Sequence, residues 1–140
     1  MTDNALSQIA PGQRLPEFVR QSGLATWNRY AAVNYEFVDI HMDDEAGRAA
    51  GFESAFGMGN LLWSYLHCLL RQWMNGRGRI LRLSCQFRQP ATKSVTAVAS
   101  ATVTAVRTAE GGREVDLDVW IKDQDGNRLA PGTATVLLYD

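Results

Sequence analysis

The chain has 140 residues, 46% of them hydrophobic, which is enough to build one core without disulfides or a structural metal. A formal net charge of −1 and a pI near 6.1 exclude a dominant electrostatic attraction to nucleic acid. The two cysteines, Cys68 and Cys85, have no metal-ligand spacing and make no disulfide framework, so both read as reduced core residues.

Residues 1–13 are polar and contain Pro11-Gly12, which suggests a flexible lead-in. They carry an acid and no apolar run. No secretory leader is therefore expected, no stretch reaches membrane-spanning length, and the expected location is cytoplasmic. Leu15–Arg20 fits a short strand, confined by Pro16 to a sheet edge or a strand start. From Leu24 to about Val33, the spacing of Leu24, Trp27, Tyr30 and Ala31 predicts a helix opened by Ser22-Gly23.

Asn34–Met42 has neither helical nor strand periodicity and reads as an ordered loop. Asp43 or Asp44 then caps a short helix through Ala50, with Gly51 available for the left-handed position beyond its end. The strongest periodic segment follows Gly57. Leu61, Leu62, Tyr65, Leu66, Leu69, Leu70 and Trp73 recur at three- and four-residue steps, with Asn60, Ser64, His67, Arg71 and Asn75 on the opposite side.

After Gly78 the period becomes two. Leu81, Leu83, Cys85 and Phe87 alternate with polar residues until Pro90, and Ser94–Arg107 is rich in β-branched residues. Turns at Glu110-Gly111-Gly112 and Asp125-Gly126-Asn127 bound a strand through Val115, Leu117, Val119 and Ile121. A last strand runs to Tyr139, interrupted by Pro131-Gly132. A helix with so wide an apolar stripe needs a sheet to cover it, which predicts an α+β hot-dog fold: an antiparallel sheet wrapped around a long central α-helix, in a single domain spanning 1–140.

The stretch Ala31–Met58 gathers the candidate chemistry. Glu36 and His41 stand on the non-repetitive segment as a carboxylate–imidazole pair, with Asp39 as an alternative carboxylate. The glycines before the long helix place its open N–H groups and positive dipole end where an oxygen can gain negative charge. Gly57 and Gly59 equally fit a turn or a close packing contact. His67 lies on the polar helix side as a surface or interface residue, and neither histidine has partners at metal-ligand spacing, so no metal is expected.

The runs AAVNYEFVDIHMDDEAGRAAGF, AFGM, WMNGRGRI and RLSCQFRQP together resemble the MaoC-like hot-dog family of (R)-specific enoyl-CoA hydratases and acyl dehydratases, over most of residues 24–138. The family motif is an Asp, then Asn-Pro two residues on, then His five residues after the Asp. Glu36, Val38-Asp39 and His41 occupy those positions, and Phe56 stands where the usual His-Gly-Met has its His. The pattern E-F-V-D-I-H-x-D is similar to small subunits of actinobacterial steroid side-chain hydratases, which work with a second MaoC-like chain.

The resemblance implies hydration of a trans-2-enoyl-CoA thioester to a 3-hydroxyacyl-CoA, or the reverse dehydration. Glu36 and His41 would hold the water and the Gly57 N–H would contribute to the oxyanion site. Coenzyme A enters as part of the substrate, with no separate cofactor. By the same resemblance Asp39, Phe56, Trp63 and Arg88 are candidate substrate contacts, Trp63 as an acyl-tunnel wall, and Arg88, with Arg82 and Lys93, toward the phosphates. Neither nucleic acid nor membrane is an expected partner. The implied assembly is a homodimer or higher homo-oligomer, or a heteromer with a second MaoC-like chain. The competing functions are a non-catalytic partner subunit, motivated by the departures at positions 36, 38–39 and 56, and a hot-dog thioesterase.

Overall fold

The apolar spacing after Gly57 does become the central helix. In the computed structural model, which describes residues 8–140, the elements in chain order are β1 (Phe18–Gln21), α1 (Leu24–Asn34), a 3-10 turn (Asp39–His41), α2 (Asp44–Ala49), α3 (Gly59–Met74), β2 (Gly78–Cys85), β3 (Thr96–Ala109), β4 (Gly112–Lys122) and β5 (Arg128–Tyr139). All seven apolar positions named for α3 are buried. Asn75 stops the helix in the left-handed region at φ 49°, its N–H returning to the Arg71 carbonyl.

The strands form one antiparallel sheet in the order β1-β3-β4-β5-β2, curled around α3. Leu66 and Leu70 of the helix share the core with Val103, Val115, Leu117, Ile121 and Val136 of the sheet. Register shifts at Ile80/Arg82, Val103/Ala105 and Ile121/Lys122 add twist, which lets the sheet wrap rather than lie flat. The hot-dog arrangement is therefore the observed fold. Among the described residues, no helix is long and apolar enough to cross a membrane.

Several local expectations need correction. Residues 1–7 lie outside the described residues, but Ile9 is buried, Gly12 donates to the Val103 carbonyl and Val103 donates to that of Gln13, so residues 9–13 are tied to the sheet. In β2 the register shift leaves Leu81 unpaired and outward, and Phe87 lies beyond the strand end, so Ile80, Leu83 and Cys85 face the core instead. β5 runs unbroken through Pro131 and Gly132. A Cβ at Gly132 would sit 2.0 Å from the Ser84 carbonyl oxygen, so the glycine lets β2 approach rather than ending the strand. Cys68 is exposed on α3, and only Cys85 is partly buried.

Candidate active site

The segment from α1 to α3 gathers the candidate residues around one buried imidazole. α1 ends with Tyr35 in the left-handed region, and both Tyr35 and Glu36 donate their N–H to the Ala31 carbonyl. This leaves Glu36 half-buried just past the helix end. The chain extends through Val38 and tightens into the 3-10 turn, where the His41 N–H bonds the Val38 carbonyl. His41 is 8% exposed, whereas Asp39 at the start of the turn is exposed.

His41 Nδ1 lies 2.8 Å from the Phe56 carbonyl oxygen. A carbonyl oxygen can only accept, so Nδ1 carries a proton, and of the two neutral tautomers this selects the one whose lone pair is on Nε2. The Phe56 ring stands edge-on to the imidazole, with centroids 5.2 Å apart, and Phe52 packs on Phe56 at 4.4 Å.

The next residues are held from outside. Asp43 caps α2 by accepting the Glu45 N–H at 3.0 Å. Asp44 accepts the Ala55 N–H at 3.1 Å and two hydrogen bonds from Lys93 Nζ, at 2.6 and 2.7 Å. The Lys93 bond, followed by that from Ala55, holds the Asp44 carboxyl below the usual carboxylate range. Gly57 donates its N–H to the Ala91 carbonyl at 2.8 Å, and a Cβ there would lie 2.7 Å from Trp27 Nε1. The Gly57 N–H expected to face an oxyanion is thus bonded to the Ala91 carbonyl in this structure, and Gly57 also permits the close contact with Trp27. Gly59 opens α3, and its N–H has no carbonyl one turn earlier to bond.

A cavity of about 260 Å³ opens at this helix N-terminus, its walls including Phe52, Phe56, Gly59, Leu62, Phe87 and Arg88. The expected Phe56 and Arg88 are therefore brought to one apolar space, and Gly57 with them. Glu36, Asp39 and His41 do not line it, and no hydrogen bond or ion pair among the described residues joins Glu36 to His41. Trp63 is elsewhere. It stacks edge-on against His67 at 4.4 Å and borders a shallow groove beside β2 with Phe87.

Lys93 is committed to Asp44, and Arg82 faces Arg107, Glu114 and Asp116 on the outer sheet surface, so of the three basic candidates Arg88 alone borders the cavity. His67 is half-buried, and burial together with the Arg71 charge pushes its imidazole down. Sequence reasoning missed the Phe52 and Phe87 walls and the Asp44–Lys93 pair. Phe52 had a signal in its position in the glycine-flanked run before α3; the ion pair had none.

A curled antiparallel sheet around one long helix defines a hot-dog protein, and its histidine loop lies on the segment that leads into that helix. No family model matches the sequence, and no curated protein matches it. Solved structures do. The (R)-hydratase from A. caviae involved in PHA biosynthesis is similar at TM-score 0.82 and 27% identity, over 94% of this chain and 98% of that one. The MaoC-like dehydratase from Rhodospirillum rubrum is similar at 0.82 and 18%, over 96% and 95%. A chain of the ChsH1-ChsH2 complex from Mycobacterium tuberculosis is similar at 0.81 and 19%, over 92% and 98%. The likeness to MaoC-like hydratases and dehydratases read from the sequence is thus present in the whole structure, and it supports hydration or dehydration as the general class of activity.

Proposed function

We propose that the chain adds water to a trans-2-enoyl-CoA thioester to give a 3-hydroxyacyl-CoA, or runs the reverse dehydration. The observation that carries this reading is the Nδ1–H bond from His41 to the Phe56 carbonyl, which leaves Nε2 to accept a hydrogen from water. Glu36, half-buried on the same loop, accepts the other. The water oxygen bonds C3 as its proton passes to this pair, and a proton is returned to C2, so that H and OH add across the double bond. Charge gathers on the thioester oxygen in between. With the Gly57 N–H engaged, the Gly59 N–H at the cavity wall is the donor that the helix leaves for it. Asp39, exposed at the start of the turn, is the second-choice carboxylate.

A second reading is supported by the absence of any Glu36–His41 bond and by the likeness to a chain of a two-component complex. In it, the chain completes a pocket shared with another MaoC-like chain. The test is the purified chain with trans-2-enoyl-CoA esters from short to bulky, followed by loss of the enoyl absorbance, with His41→Ala as control. Turnover lost in the control supports the hydratase. Silence across the panel moves the function to the shared pocket, and free-thiol release from a saturated acyl-CoA identifies a thioesterase instead.

A further inference from the structure

Hydrogen bonds to three different parts of the chain hold the segment Ala55–Gly57. The Ala55 N–H goes to Asp44 on α2, the Phe56 N–H goes to the Ile40 carbonyl and the Phe56 carbonyl accepts from His41, both in the 3-10 turn, and the Gly57 N–H goes to Ala91 in the connection between β2 and β3. Lys93, in that same connection, holds both Asp44 carboxylate oxygens at 2.6 and 2.7 Å. Two residues of one loop therefore reach the segment, Ala91 directly and Lys93 through Asp44. α2 sits against it so closely that a Cβ on Gly47 would lie 2.2 Å from the Ser54 carbonyl oxygen and 2.7 Å from the Ala55 N.

An exposed ion pair by itself adds little to stability. This pair differs because the carboxylate has a third partner, a backbone N–H, so that it restrains a peptide one residue away from the carbonyl that bonds the imidazole. We infer that Asp44 and Lys93 are positioning residues for His41, fixing the Phe56 carbonyl that keeps the proton on Nδ1 and leaves Nε2 as the acceptor. The structural arm of this inference stands on the hydrogen bonds alone; its kinetic arm rests on the hydratase reading.

The test reads both arms. Imidazole 15N–1H correlation spectra of 15N-histidine-labelled protein separate the two tautomers, and with only two histidines in the chain, His41→Gln assigns the signals. Wild type is expected to hold His41 as the Nδ1–H form, with Lys93→Met and Asp44→Asn giving a mixture, Lys93→Arg restoring the wild-type spectrum, and the His67 signal unmoved as the folding control. On the enoyl-CoA that wild type turns over, kcat in Lys93→Met is expected to fall about 10- to 100-fold, with KM within about twofold. A tautomer shift with a silent wild-type enzyme upholds the positioning role and sinks the hydratase reading. An unchanged His41 spectrum in folded Lys93→Met and Asp44→Asn overturns the positioning role.

Discussion

His41 Nδ1 and the Phe56 carbonyl oxygen are 2.8 Å apart, a bond from a side chain to the backbone of a residue whose own ring then packs edge-on to the same imidazole. Because the acceptor is main chain, any residue at position 56 can hold the His41 tautomer, and the side chain there is free to shape the cavity. That accounts for a phenylalanine in a place where a histidine is usual in the resembled family.

Phe56→Ala should therefore leave the imidazole bond intact while removing a cavity wall and the Phe52 contact. Loss of such an aromatic contact is expected to raise KM about tenfold, roughly 1.4 kcal/mol, with kcat little changed. A collapse of kcat at constant KM would place the ring in the chemistry and reject this division of labour.

Two glycines near the site should respond in opposite ways to alanine. At Gly47 the new Cβ meets backbone, the Ser54 carbonyl oxygen at 2.2 Å, and neither helix nor loop can yield without losing its bonds. Gly47→Ala is expected to lower unfolding stability by about 1–3 kcal/mol in urea titrations. At Gly59 the atoms nearest the Cβ belong to the Phe87 ring, which is 53% exposed and free to swing away. Gly59→Ala should then stay within about 0.5 kcal/mol of wild type. Equal losses at both positions would show that cavity-wall packing, not the α2 contact, carries the stability.

The cysteines separate by the same logic of placement. Cys68 is exposed on α3, while Cys85 is half-buried and burial pushes its thiol up. Ellman's reagent on the native protein should label Cys68 quickly and reach Cys85 only on unfolding. Two fast thiols would mean that β2 opens from the sheet on the labelling timescale.

How much of this was legible in the sequence depends on whether the cause is local. α3 was legible because seven apolar residues repeat at helical spacing, and the edge position of β1 followed from Pro16 before it. The exposure of Cys68 was also there to be read, since it shares a helix face with Ser64, Arg71 and Asn75 and not with the leucines. The outward turn of Leu81 was not, because it arises from a register shift against β5. Nor was the Asp44–Lys93 pair, which joins residues 49 apart through the fold alone. The Glu36–His41 pair was legible as a carboxylate and an imidazole on one loop, and its role as a water-holding pair came from resemblance; the hydrogen bond to Phe56 that orients His41 came from structure.

Acid should weaken the fold through its hydrogen-bonded carboxylates. Asp116 is held below the usual carboxylate range first by Arg107 and then by Thr135, and Asp44 first by Lys93 and then by Ala55. A folded value below the unfolded one means that the unfolded chain binds more protons in between. Their contribution is therefore present above about pH 4 and is lost as pH falls through the folded values. Urea unfolding at neutral pH and near pH 3 should show a smaller acid loss in Asp116→Asn than in wild type. Parallel losses would assign the acid sensitivity to other groups.

The two sheet edges are unequal, and that bears on assembly. β1 is four residues long, whereas β2 presents eight residues without proline or acid, with Leu81 43% exposed and Trp63 of α3 39% exposed nearby. A long unpaired edge with apolar side chains is a template for another strand. We therefore expect sheets to join across β2. Light scattering at micromolar concentration should give a multiple of the 15.5 kDa chain mass, lowered by Leu81→Lys. A stable wild-type monomer would reject self-assembly through this edge. A monomer that gains mass, and enoyl-CoA turnover, only when a second MaoC-like chain is added would assign the edge to a heteromer and make Glu36 and His41 one chain's share of a joint site.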